Sequence, residues 1–471
     1  MDRRILGSAQ LMSLGSLPKT PSLTFGRGSS LTSSVAGRPL TDRRYSAGQS
    51  SGATVSNTTL RVSLVGTLLA APLAFGAVQA WAWGALAIVA FLLLAGWLLA
   101  CIRLGNLQVL WSPLMVPAAL LLLLGFIQIA GHATLDFIVT RESLVKLSTN
   151  LILFFLASQV FDQSDRTMRL YGWAIVWYTF ALALVSICQF YTSPGQIFWS
   201  VPSPGWTFGP YVNHNHYAGL MEMLIPLSVT CALPARSHRV SPFLLAFLIS
   251  VPIASLLLSG SRGGLIAFVG ELILAGIIVL RRGTRRARQA AGVVGGMVVA
   301  LAVLLFLWMA PQQITQRLAS MGKSPYPAEI ELGNRLAASR DALRIFQDHL
   351  YLGAGLGSFE TVFPQYQTFA SDFRWDHAHN DYAEALAETG LAGGIILLGA
   401  LVLFFSLAFR NLRRRLRFPA AWVQLGAALG CCGVLIHSCA DFSLHLPANA
   451  AWFAVCIAIA TGREVPGGAL S

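Results

Sequence analysis

The run HAHNDYAEALAETG, His377 to Gly390, sets two imidazoles, an amide and the carboxylates Asp381, Glu384 and Glu388 where a polar stretch, roughly 310 to 379, passes into a long apolar segment. Such groups at a boundary between water and hydrocarbon are costly to keep and mark a place for chemistry at a membrane surface. If the long helix begins near His379, a neutral imidazole stands beside the positive end of the helix dipole and accepts a proton. That is the act of a general base working on a hydroxyl nucleophile. Two other readings use the same residues: His379 caps the helix, or a metal is held by His377, His379 and Asp376 with His214 and His216, without a firm ligand spacing. Asn380, Glu384 and Glu388 recur at helical spacing and predict a polar stripe turned toward a hydrophilic chamber rather than lipid. Gly390, Gly393 and Gly394 permit close helix packing.

Other polar clusters share the same side of the apolar runs. Arg262 in SGSRGG (Ser259 to Gly264) is a solitary arginine between two such runs. At a membrane edge it is costly unless it meets an anion, and a diphosphate suits its planar donor fork; snorkelling to headgroups is the plainer role. In YVNHNHYAGL, the residues Asn213, His214, Asn215 and His216 crowd a helix entrance, where amides and imidazoles bind sugar hydroxyls or phosphate oxygens and one of them serves as a cap. Within the polar stretch, Glu331 to Leu350 sets Leu336, Leu343, Phe346 and Leu350 on one face, with Asn334 as N-cap. This predicts an amphipathic helix at the outer surface carrying Arg335, Arg340 and Arg344. The following GAGLG allows tight turns through Gly353, Gly355 and Gly357, and alone is a weak phosphate-loop signal.

The elements that must position these residues are helices in a membrane. Of the 471 residues, 55% are apolar and 11% charged, and the mean hydropathy of +0.63 excludes an ordinary soluble enzyme. Apolar runs near 60–78, 82–102, 113–130, 143–161, 169–191, 214–233, 241–260, 263–280, 290–309, 380–409, 420–438 and 445–461 predict an all-α polytopic protein of about twelve spans. Its expected parts are an N-terminal membrane region, 59–309, an outer loop, 310–378, and a C-terminal membrane region, 379–462. The net charge of +13 matters through its placement rather than as a nucleic-acid signal. Arg103, Arg166 with Arg169, Arg236 with Arg239, the cluster from Arg281 to Arg288 and the cluster from Arg410 to Arg417 occupy every second connection. By the positive-inside rule those connections and both termini are cytoplasmic, and the polar stretch, the 192–213 connection and SGSRGG face outward. The seven cysteines lie in or beside the runs and form no disulfide framework. Residues 1–58, rich in Ser, Gly, Thr and Arg, read as a disordered cytoplasmic tail, with an organelle transit peptide or an overextended start as rivals; 463–471 form a short cytoplasmic tail.

Taken in order, NHNHYAG, SGSRGG, the GNR at Gly333 to Arg335, DHLYLGAGLGSFE (Asp348 to Glu360) and HAHNDYAEALAETG give the chain a resemblance to the O-antigen ligase and polymerase superfamily, bacterial integral-membrane glycan transferases. The resemblance implies an enzyme of the inner membrane whose periplasmic site moves a glycan from a polyprenyl-diphosphate carrier to a hydroxyl of a growing polysaccharide or a lipid A-core acceptor. It implies His379 as the catalytic histidine and Arg262 and Arg335 as diphosphate-binding arginines, with His379, Asn380 and Gly390 on the ligase signature. Gly393 stands where ligases often have Thr. Because the activated donor supplies the driving force and the arginines stabilise the leaving charge, no nucleotide, cofactor or divalent metal is expected. A proton-coupled transporter using Glu222 and Glu271 is the reading from another class, but neither an internal repeat nor paired broken helices stand in the chain.

Overall fold

The computed structural model describes residues 45–105, 107, 109–161, 165–203, 205–232, 241–285, 332–371, 374–412 and 419–462, with scattered positions from 288 to 304. Gln49–Ser471 form one compact unit, and the other, Met1–Gly48, falls almost wholly outside the described residues. Most of the run 290–309, the first part of the polar stretch, the C-terminal tail and several loop arginines also lie outside them.

The described chain is helical apart from a two-residue hairpin, Gln196–Ile197 with Val201–Pro202. The helices are α1 (Tyr45–Leu73), α2 (Ala80–Leu104), α3 (Met115–Ala130), α4 (Phe137–Val160), α5 (Asp165–Thr192), α6 (His214–Ala232), α7 (Pro242–Ser259), α8 (Arg262–Arg282), α9 (Leu332–Asp348), α10 (Phe359–Val362), α11 (Asp381–Leu412), α12 (Pro419–His437) and α13 (Pro447–Thr461). Helix α1 begins at Tyr45, inside the stretch whose composition predicts a tail.

Among the described residues six helices are long and apolar enough to cross a membrane: α2, α4, Leu170–Thr192 of α5, α8, α11 and Ala420–His437 of α12. The described residues alone do not make up the expected count of about twelve. Thr58–Leu73, α3, Phe243–Ser259 and α13 are apolar but shorter than a full span, which takes about 20 residues, and 290–309 is largely undescribed. Helix α6 is diluted by Asn215, His216 and Glu222, and it lies inside the bundle with Leu220, Met221, Met223, Leu224 and Leu227 fully buried. The outward residues of α2 and α8 include Ile88, Leu92, Ile102, Ile266, Leu272 and Ile273, the inside-out pattern of helices solvated by hydrocarbon.

The polar stretch builds a second small core. Ala338, Ala342 and Ile345 of α9 pack with Ala354, Phe359, Phe363, Trp375, Ala378, Ala383 and Ala387. The face of α9 turned to the protein is therefore this small-residue face, and Leu336, Leu343 and Leu350 are exposed. The leucine face expected from periodicity is present but looks outward, because alanines four apart let helix backbones approach closely. The helix starts at Leu332, so Asn334 lies within it and is not its cap.

One junction fixes the course of α11. Gly390 has φ 62° and ψ −161° inside that helix, a region open essentially to glycine alone. A Cβ there would strike Gly353 N and the Tyr351 carbonyl. The GAGLG backbone is tied across this kink: Ala354 N donates to Ala387 O, Gly355 N to Glu388 O and Phe359 N to Glu388 Oε1. Gln128 Nε2 donates to Leu352 O and Glu388 O while its Oε1 accepts from Leu356 N. These amides are spent on protein acceptors, so GAGLG is a packing loop and not a phosphate cradle.

Candidate functional site

Helix α12 ends at His437, and a short connection returns the chain to α13. Ser438 ties that connection to the start of α11: its carbonyl accepts from Asp381 N at 2.9 Å and its hydroxyl donates to Asp381 Oδ2 at 2.6 Å. The tie brings HAHND beside the ring of Phe442. His377, His216 and His379 have ring centroids 4.3, 4.7 and 4.9 Å from it. His445 lies 4.5 Å from the His377 ring.

The cap of α11 is Asn380, whose Oδ1 accepts from Tyr382 N and Ala383 N, each at 3.1 Å. His379 just precedes the helix, buried, with φ 50°. A non-glycine residue held there is uncommon and persists where its surroundings over-determine it. The capping role considered for His379 therefore belongs to its neighbour, and the imidazole is left for something else.

Carboxylates and imidazoles alternate in two chains that end on the Phe442 ring. In one, Asp381 Oδ1 lies 2.8 Å from His445 Nδ1, His445 Nε2 lies 3.2 Å from Glu384 Oε1, and Glu384 Oε1 lies 2.7 Å from His377 Nδ1. Ala378 N donates to the other Glu384 oxygen at 2.7 Å. In the second, Glu222 Oε1 lies 2.7 Å from His437 Nδ1, His437 Nε2 is 3.8 Å from Asp441 Oδ2, and Asp441 Oδ1 is 3.4 Å from His379 Nδ1. The last two separations are ion-pair distances rather than hydrogen bonds.

The electrostatics follow this alternation. Burial disfavours the charged form of His445, but the carboxylates of Glu384, Asp381 and Glu388 outweigh it and push its pKa up to about 10. Burial likewise opposes ionisation of Asp441, yet its contact with His379 and the charges of His216, His437 and His379 hold it well below the usual carboxylate range.

Both expected arginines border the same connection. Arg335 donates from Nη1 to Ala440 O at 3.4 Å, and its buried Nε has no hydrogen-bond partner among the described residues. Arg262 opens α8 and is exposed, with Ser261 accepting from Gly264 N as cap. Beside it, Gly263 packs against the His437 ring and Gly264 against Ala218 and Glu222. The glycines of SGSRGG thus serve close packing on the Glu222–His437 pair, which brings Arg262 to the edge of the site.

Of the NHNH run only His216 reaches Phe442. Asn213 accepts from Asn215 N at the entrance of α6, and the His214 ring lies tilted against Trp206 at 4.8 Å; Asn215 is buried. Glu384 lies in the site, while Glu388 is used by the GAGLG junction, so the expected stripe divides between two tasks. For a metal, the residues brought together are His377, Glu384 and His445, whose ligand atoms lie within 4.8 Å of one another, rather than the set with Asp376 and His379. Each of those atoms already meets another of the three. His437, Asp441, Phe442 and His445 escape a reading based on helix-start motifs. Their signal is a polar connection between two apolar runs.

Residues 245–398 match the family model described as O-antigen ligase. The segment contains SGSRGG, GNR, GAGLG and HAHND, and the match bears out the resemblance to that superfamily. No curated protein matches the chain.

Proposed function

We propose that the protein is a membrane glycosyltransferase that moves a glycan from a polyprenyl-diphosphate carrier to an acceptor sugar hydroxyl. The acceptor end belongs to a growing polysaccharide or a lipid A-core. The reading places the site on the periplasmic face of the inner membrane, with about twelve spans and both termini in the cytoplasm. What supports it above all is that three motifs distant in sequence meet at one connection: Gly263 packs on His437, Arg335 bonds Ala440 O, and His379 faces Asp441.

In this reading Arg262 and Arg335 hold the diphosphate and stabilise the charge that develops as it leaves. His379 Nε2 takes the proton of the acceptor hydroxyl while Asp441 orients the ring from Nδ1. The acceptor oxygen forms its bond to the anomeric carbon as the bond to phosphate breaks, which inverts the centre when displacement is direct. Asn380 supports the site by capping α11, His216 by lining Phe442, and His377 with Glu384 from the adjoining chain. No metal enters this scheme, since the arginines carry the leaving charge. Gly393 has a local reason: a Cβ there would collide with the Thr389 hydroxyl. The departure from the ligase pattern therefore does not by itself select between ligase and polymerase.

The test is transfer by the purified protein in lipid discs, given a polyprenyl-diphosphate glycan and a sugar acceptor. Chelator-resistant transfer with inversion supports the proposal; absence of transfer to any sugar hydroxyl rejects it.

A further inference from the structure

The chain Asp381–His445–Glu384–His377 serves only as support in the scheme above, yet its polar atoms are arranged about one point. His445 Nε2 and His377 Nδ1 both approach the same oxygen, Glu384 Oε1, at 3.2 and 2.7 Å. The other polar atoms of His445 and Glu384 are held elsewhere. His445 Nδ1 lies 2.8 Å from Asp381 Oδ1, Asp381 Oδ2 accepts from the Ser438 hydroxyl, and Glu384 Oε2 accepts from Ala378 N. An imidazole backed by a carboxylate, next to a carboxylate with one oxygen tied to a backbone amide, is how proteins orient ligands toward a metal ion. Among the described residues, these three make up the group of imidazoles and carboxylates whose donor atoms converge within 4.8 Å. Bonds of about 2.0–2.2 Å to zinc set tetrahedral ligands roughly 3.3 Å apart. The His445–Glu384 separation is close to that value, and the His377–Glu384 one reaches it by a shift of roughly half an ångström. Exposure fits as well: Glu384 is 1% exposed, whereas His377 and His445 are 27% and 28% exposed. The group therefore has an anchored floor and an open side, which serves for entry and for water as a fourth ligand.

We propose that His377, Glu384 and His445 form a site for a zinc-class divalent cation, which braces the start of α11 against the 443–445 turn. Two imidazoles and one carboxylate favour first-row metals such as zinc over magnesium or calcium, which take oxygen ligands. His377 and Glu384 are far from His445 in sequence, and the connection that carries Asp441 and Phe442 ends at His445. An ion on these ligands pins that connection to α11. In the metal-free protein protons join the three groups, and the ion takes their place on binding. No step of the transfer uses the ion, so the inference stands apart from the transferase reading and chelator-resistant transfer remains the expectation.

The experiment uses the full chain in lipid discs, purified on a tag without histidine and stripped with chelator. Titrated Zn2+ should bind as a single ion per chain and raise the melting temperature with the logarithm of its concentration; Mg2+ should do neither. Co2+ in place of Zn2+ reports the geometry without any variant, because strong visible d–d bands mark a tetrahedral site and weak ones an octahedral, water-like environment. Asp381→Asn should weaken Zn2+ binding by about 10- to 100-fold, the scale for losing a partner that orients a ligand. His445→Gln and Glu384→Gln, which remove ligands, should weaken it further and abolish the Co2+ bands. His379→Asn should keep the ion, since its ring belongs to the other chain. No binding of Zn2+ by the wild-type protein, an octahedral Co2+ spectrum, or an ion kept by His445→Gln and lost in His379→Asn would each overturn the site and leave the transferase reading untouched.

Discussion

Two buried polar regions flank α11, and they treat their hydrogen bonds differently. At the Gly390 junction, the Gln128 amide, the Glu388 carboxylate and the GAGLG amides meet one another. At the 437–443 connection, Arg335 Nε, His379 Nδ1, His216 Nε2, Asp441 Oδ2, Glu222 Oε2 and Ser443 Oγ are buried without hydrogen bonds among the described residues. An unmet buried polar atom costs about 1–3 kcal/mol, so the fold sustains at one region a cost that it avoids at the other. Saturation is the mark of a joint, and unmet capacity is what the proposed function expects of a place that takes a polar substrate. Substitutions should therefore damage folding at the first region and turnover at the second.

The largest effect is expected at the arginines. Arg335→Ala and Arg262→Ala should each lower transfer about 100-fold or more, the scale for removing one donor to a developing anion, with protein level in the membrane unchanged. Lysine should restore only part, because it keeps the charge and loses the planar fork. Full activity in either alanine variant would remove that arginine from the site.

At the junction, Gly390→Ala should act on the fold. It forces a side chain into a conformation that costs about 1–3 kcal/mol and into the backbone of Gly353 and Tyr351. A clear fall in melting temperature is expected, with the remaining folded protein near normal in turnover; unchanged melting would contradict the joint.

His445 sharpens the contrast through pH. Its pKa is raised from an ordinary 6.5 to about 10, so the stability it contributes is complete below the unfolded value and is lost as pH rises through the folded one. The melting-temperature gap between wild type and His445→Gln should be widest at pH 6 and close by about pH 10. A gap that does not change with pH would mean that the ring acts by packing alone. The smallest effect belongs to Glu388→Gln, which keeps an acceptor for Phe359 N. Transfer within about two-fold of normal and a stability change near 1 kcal/mol are expected from a conserved hydrogen bond. Loss of transfer would shift Glu388 into the site.

Hydropathy made much of the helical framework legible, and HAHND and GNR, with SGSRGG beside them, are motifs that the fold brings to one connection. Three things were not legible, each for a physical reason. The protein-facing side of α9 went unnamed because periodicity weighs leucine above alanine, whereas close packing selects Ala338 and Ala342; the leucines of the expected surface face are exposed. The cap was read as an alternative role of His379, because a polar ring fits a helix entrance; the fold gives it to the Asn380 side chain. His437, Asp441 and His445 were passed over because a short connection between two apolar runs reads as a turn, and the pairing of those residues with Glu222, His379 and Asp381 depends on helices that meet only in the folded bundle.

The central claim is that His379 handles a proton, and the most direct test is the turnover of His379→Asn with a polyprenyl-diphosphate donor, with and without chelator. Asn380 already caps α11, so asparagine at 379 has no cap to restore, and it cannot accept a proton as imidazole does. A loss of about 100-fold or more, insensitive to chelator and with donor binding intact, is predicted. Near-normal turnover by the asparagine variant would contradict the account.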